Sequence, residues 1–300
     1  MRAEFAGFRR IALIVWLPVF LGFNRCAVNR LMMSGMAGFF EEGIAVVYQE
    51  GDLELARQFF GSNLEMIVIF QARDPQNLRL NLLAAQAFGA YAMAFVQDED
   101  PIRADQLYRR GMNYAFKALR PQFRFDETIL ARDLERILAS CTLRELPSLF
   151  WIGYNWGNHL LQHLDNPRQL INLAKVEMIM RRVLELDENY NFAGVHLFYG
   201  SYYAARPPLL GGKPEKGREH FERNIELTGG RLLLSKVMLA QYYAVQIQDR
   251  ELFDSLLREV LVYDLDRDPD YRLMNAIAKQ KAAGLLSQTE QFWIEDSDTE

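Results

Sequence analysis

Apolar residues recur at helical spacing along most of the chain. Leu53, Ala56, Phe60, Leu64 and Ile67 fall at three- and four-residue intervals, the period of one helix face. No stretch sustains the alternation of apolar and polar positions that a half-buried strand needs, so the pattern predicts no strand. The expected helix starts are marked by Asp or Asn followed by Pro, at Asp74-Pro75, Asp100-Pro101, Asn166-Pro167 and Asp268-Pro269. An Asp or Asn cap accepts from the orphan amides, and a proline at the first helical position forfeits no hydrogen bond. Asp52, Asp126 and Asp249 predict further starts without the proline. The expectation is an all-α fold of eleven or twelve helices after Cys26.

Part of the pattern repeats. Gly200-Ser201-Tyr202-Tyr203-Ala204-Ala205 returns as Ala240-Gln241-Tyr242-Tyr243-Ala244-Val245, and each copy precedes an amphipathic helix, Pro214 to Leu227 and Asp249 to Val262. Upstream, Val176, Met180, Leu184 and Leu186 match Gly217, Phe221, Ile225 and Leu227 at a constant offset, and Gly111, Ala115 and Ala118 give an earlier copy. A unit of this period cannot bury its apolar face alone and must stack on neighbours. The second copy fits a tetratricopeptide pattern, with Leu239, Ala240 and Tyr243 on the first helix and Leu252, Leu256 and Glu259 on the second. The first copy gives Tyr199, Gly200 and Tyr203, then Gly217, Phe221 and Asn224. The spacing exceeds the usual period of about 34 residues, so the expected architecture is a divergent tetratricopeptide-like helical-repeat solenoid with long helices. Gly200 and Ala240 are the positions where one helix is expected to lie close against its mate.

Composition narrows the function classes. The 300 residues are 50% hydrophobic, ample for a sizeable core, and the net charge of −5 with no basic stripe argues against nucleic acid as a partner. Arg2, Arg9 and Arg10 precede an apolar run from Ile11 to Phe23, shorter than the roughly 20 residues of a membrane span, and Cys26 follows. That layout predicts an export segment over residues 1–26 with Cys26 as a lipidation site, although Arg25 stands where a small residue is usual. Residues 27–294 are then one helical-repeat domain, and residues 295–300 an acidic, solvated tail. Cys141, in an apolar run, is expected to be a small buried residue.

Several long segments resemble one family. Residues Phe192 to Tyr203, Pro207-Pro208-Leu209-Leu210-Gly211-Gly212, His220-Phe221-Glu222-Arg223, Leu149 to Gly157 and Leu273 to Lys279 are similar to the T component associated with tripartite ATP-independent periplasmic (TRAP) transporters. The resemblance runs from about Val28 to Trp293. It implies a periplasm-facing, lipid-anchored protein of the bacterial envelope, built from divergent tetratricopeptide helix pairs. It also implies a homo-trimer with a pore through each subunit, partnership with the transporter's solute-binding protein, and a role in moving an apolar small molecule.

The candidate chemistry is sparse. The residues offer no catalytic constellation, cofactor motif or metal motif: G-x-S-x-G, the P-loop and the dinucleotide fingerprint are all missing. The expectation is therefore a non-enzymatic protein without cofactor. Two other readings stay open, a generic envelope scaffold for an unrelated complex and a metal-dependent enzyme using His159 and His163, whose i, i+4 spacing lets them share one helix face. The candidate ligand or partner site comprises Trp151, Tyr154, Trp156, Tyr199, Tyr202, Tyr203, Arg206, Leu209 and Leu210. Trp151 and Tyr154 share a face and Trp156 does not, while Tyr202 and Tyr203 cannot both face one lumen. Arg206 to Gly212 is a proline-bounded loop whose Leu209 and Leu210 either cap an interhelical groove or border the site.

Overall fold

The structure is a computed structural model that describes residues 35–293, apart from 37, 41, 45, 164–166 and 207–210. The expected export segment, Cys26, Leu209, Leu210 and the expected acidic tail lie outside the described residues. Within them the fold is all-α, with no strand and no helix long and apolar enough to cross a membrane.

The helices run in order α1 (Leu53–Arg73), α2 (Leu78–Phe95), α3 (Pro101–Ala118), α4 (Ala131–Ser140), α5 (Leu146–Leu161), α6 (Pro167–Leu186), α7 (Tyr190–Ala204), α8 (Pro214–Leu227), α9 (Leu234–Met238), α10 (Arg250–Val262) and α11 (Arg272–Ser287). Consecutive members pack on each other, α1 on α2, α2 on α3, α6 on α5, α8 on α7 and α11 on α10, while α3 reaches past α4 to α5. The array then closes. The Leu273 amide donates to the Tyr48 carbonyl at 3.0 Å, Arg272 donates to the Gln49 carbonyl at 3.1 Å, and α11 packs on α1.

Most expected boundaries hold. Asp52, Asp100 and Asp249 cap α1, α3 and α10 with side-chain hydrogen bonds, and Pro214 opens α8. Two do not. Asp74 closes α1 instead of starting α2, its amide donating to the carbonyls of Phe70 and Gln71, and Asn77 caps α2. Asp126 accepts from the amide and hydroxyl of Thr128 in a turn, and α4 begins at Ala131. The same short-range carboxylate bonding serves a turn as readily as a helix. At Asp268-Pro269 the start is a single 3₁₀ turn, Pro269–Tyr271, before α11.

The helix pairs α5/α6 and α7/α8 share one contact. A Cβ on Gly153 would overlap the Met180 sulfur, and one on Gly200 would overlap the Phe221 ring. Met180 and Phe221 are both fully buried and stand at the offset the sequence repeat gives them. A glycine on the first helix thus receives a large side chain of the second. Gly217 completes the α7/α8 contact, because a Cβ there would lie 2.8 Å from the Gly200 carbonyl oxygen. Ala240 is fully buried as well, but its copy departs from α geometry. Residues Leu239–Ala244 form a π turn, with the Val245 amide reaching the Ala240 carbonyl at 3.3 Å. One extra residue per turn re-aims the side chains that follow, and such bulges concentrate at functional positions.

The start of α7 is unusual. Asn191, Phe192 and Ala193 have φ of 50°, 59° and 54°, a left-handed turn made without glycine. Each such residue costs about 1–2 kcal/mol outside glycine, so the surroundings must hold the turn. Asn224 on α8, fully buried, does so: its side-chain amide donates to the carbonyls of Phe192 and Ala193 at 2.9 Å each. Its own side-chain oxygen accepts from Ser235 Oγ at 2.5 Å.

Candidate functional site

The closed array surrounds a cavity of about 610 Å³. Its walls come from α2, α5, α7, the α9–π segment and α11. α5 supplies Phe150, Trp151 and Tyr154, with the Phe150 and Tyr154 rings stacked at 6.1 Å and Trp151 edge-on to Tyr154 at 5.0 Å. The left-handed turn at the start of α7 sets Phe192 into the wall, between Tyr48 at 5.7 Å and Tyr271 at 5.3 Å. One and a half turns later Phe198 stacks on Tyr202 at 5.6 Å. The Arg206 guanidinium lies 3.9 Å over the Tyr202 ring, and its Nε donates to the Tyr202 carbonyl at 2.7 Å.

The polar lining groups include Gln97, Asp98, Gln241, Gln280, Lys281 and Gln288. Asp98 and Lys281 are the charged lining groups among the described residues, and they pair at 2.5 Å. Burial raises the pKa of Tyr48, Tyr154 and Tyr242 further above neutrality than that of an ordinary tyrosine, so these three phenols face the cavity uncharged. The chamber therefore offers a predominantly apolar wall with several aromatic rings, together with hydrogen-bonding amides and one ion pair. Such a lining fits an apolar molecule and can orient a polar end if it has one.

The candidate residues divide. Trp151, Tyr154 and Tyr202 line the cavity. Trp156 is fully buried in the core, edge-on to Phe116 at 5.7 Å, as its place on the other face of α5 requires. Tyr199 and Tyr203 point toward α8, where both stack on His220, and Lys216 donates to the Tyr203 hydroxyl at 2.9 Å. Arg206 touches the site through Tyr202. His159 lies in the last turn of α5 and His163 in the turn beyond its C-cap, so the two do not share a helix face although their rings lie 4.9 Å apart; Cys141 is buried at the end of α4, where burial pushes its thiol up to about 11.

Sequence reasoning passed over Met93, Phe192, Tyr242 and the Asp98–Lys281 pair. The repeat carried a signal for one of them, since Tyr242 stands 40 positions after Tyr202 and lines the same chamber. The others are brought in by tertiary contacts.

Comparison with known proteins bears on this site. The family described as "TRAP transporter T-component" matches residues 49–293, which include nearly every residue of the cavity wall. An uncharacterized protein of Treponema pallidum (strain Nichols) is 24% identical over 269 residues, covering 83% of each chain.

Proposed function

From the premise that the chain belongs to the TRAP transporter T-component family, we propose that it is a non-enzymatic adaptor that binds the transporter's solute-binding protein and takes a hydrophobic ligand into its central cavity. It works on the periplasmic face of the cell envelope, delivered by residues 1–26 and held by a lipid on Cys26. Residues 27–294 act as one tetratricopeptide-like repeat domain, and the assembly is a homo-trimer. The loop from Arg206 to Gly212, with Leu209 and Leu210, borders the partner face or the mouth of the cavity.

The observation that carries the ligand reading is the wall itself. A chamber of about 610 Å³ falls within the usual range of small-molecule sites, and six aromatic rings from α5 and α7 line it. The test is affinity capture of the full chain from envelope extract, with mass spectrometry of proteins and of extractable lipids together. The reading expects a TRAP solute-binding protein and an apolar small molecule to co-purify. Recovery of the chain with neither would overturn it.

A further inference from the structure

Away from the cavity, three side chains converge that the adaptor function does not use. His159 stands in the last turn of α5 and His163 in the turn just past its end, their rings 4.9 Å apart, and Asp105 comes from α3, 54 residues before His159. His159 Nδ1 lies 2.5 Å from one Asp105 carboxylate oxygen, and His163 Nε2 lies 3.2 Å from the other. The three donor atoms all fall within 4.8 Å of one another. His159 is buried, Asp105 is largely so, and His163 is 41% exposed at its side chain, so the cluster has one open side.

The charge balance is the second observation. Among the described residues, no lysine or arginine pairs with Asp105, and its ionic partners are the two imidazoles alone. A carboxylate this sheltered gains from a cation beside it. Two imidazoles and one carboxylate are a donor set suited to a borderline divalent metal such as zinc and unsuited to magnesium or calcium, which require oxygen shells.

We propose that Asp105, His159 and His163 form a zinc site that staples α3 to α5. The ion takes His159 through Nδ1, His163 through Nε2 and Asp105 through a carboxylate oxygen, leaving a fourth position to water on the open side. Each neutral imidazole keeps one proton, carried on its far nitrogen instead of the nitrogen facing Asp105, so binding to neutral rings releases none. The carboxylate and His159 Nδ1 part by about 1 Å to admit the ion, since zinc ligands sit roughly 2.0–2.2 Å from the metal. Asn158 and Leu161, on the same turns of α5, line the cavity, so the staple also fixes one of its walls.

The experiment strips the purified full chain with chelator, adds zinc chloride, desalts, and measures retained metal and thermal melting. The expected result is one zinc per chain, a melting temperature raised by zinc and returned by chelator, and no such rise with magnesium or calcium. His163→Gln, at a half-exposed position, and Asp105→Asn should each melt like the stripped wild type yet hold zinc at least about tenfold more weakly, a loss of about 1.4 kcal/mol. If Asp105→Asn unfolds, His163→Gln decides alone. Zinc not retained by the wild type overturns the proposal. So does zinc retained equally by the His163 variant, which would assign the metal to Cys26 or to other histidines.

Discussion

Asn224 holds Phe192 in a backbone conformation that phenylalanine seldom adopts. The amide at the end of one side chain satisfies the two carbonyls that the left-handed turn exposes, and Phe192 then stands in the cavity wall. Replacing Asn224 with Leu removes both bonds and leaves the two carbonyls without this donor, while Ser235 keeps only its bond to the Leu232 carbonyl. The expected cost is about 2–4 kcal/mol in urea denaturation, with helical circular dichroism retained in the folded state. Asn224→Leu within about 0.5 kcal/mol of wild type would show that the turn is held by other contacts.

Gly200 and Phe221 give a second prediction. Gly200→Ala drives a methyl group into the buried ring and should destabilise by about 1–3 kcal/mol. Trimming the ring in Gly200→Ala with Phe221→Leu should recover part of that loss, a coupling measurable by a double-mutant cycle. Gly153→Ala against Met180 should cost less, because a thioether yields more easily than a ring. Strict additivity of the two α7/α8 changes would refute direct contact.

The histidine pair between α7 and α8 predicts a pH dependence. His196 and His220 bring their Nδ1 atoms within 3.0 Å, so one donates and the other accepts. Around them lie Glu188, which meets His196 Nε2 at 3.1 Å and Arg223 at 2.7 Å, the rings of Tyr199 and Tyr203, and Lys216. Burial, then repulsion from His196 and Lys216, lowers the His220 pKa to about 4, and burial also lowers that of His196 against the pull of Glu188. Below about pH 6.5 the unfolded chain accepts protons that the folded pair refuses, so stability falls as pH drops toward about 4. His220 should contribute on the order of 2 kcal/mol to that loss once solvent screening is discounted. His220→Phe keeps a ring between the tyrosines and should flatten the slope; denaturation of both proteins between pH 7.5 and 4.5 makes the comparison. Parallel curves would contradict it.

Gly284 offers a test of the cavity that leaves the core alone. It lines the chamber on α11, and a Cβ there meets nothing within 4 Å. Gly284→Phe should fill part of the space, weaken binding of a neutral apolar fluorophore by about tenfold or more, and leave melting unchanged or slightly raised. Undiminished fluorophore binding would move the apolar site elsewhere.

Local chemistry was legible in the sequence, and tertiary geometry was not. The caps at Asp100 and Asp249 and the start at Pro214 are written in two or three adjacent residues, and the small residue at position 200 in a repeat. The separation of Trp151 from Trp156, and of Tyr202 from Tyr203, followed from the turn angle of a helix. Asp74 and Asp126 misled because one carboxylate can cap a helix or close a turn. Nothing near Asn191, Phe192 and Ala193 announces a left-handed turn, since its support lies on the next helix. Asp105 is equally silent, for its chemistry exists only beside two histidines 54 and 58 positions later.

The hydrogen bond from Leu273 to Tyr48 joins residues 225 positions apart. Contacts at such separation carry the greatest entropy of closure and are expected among the last to form. Before α11 docks, the earlier helices can already pair with their neighbours, yet the cavity lacks the wall that Met274, Lys281 and Leu285 supply. If the cavity takes the proposed ligand, binding is expected to require that clasp, and opening it should cost the site before the helix pairs themselves separate.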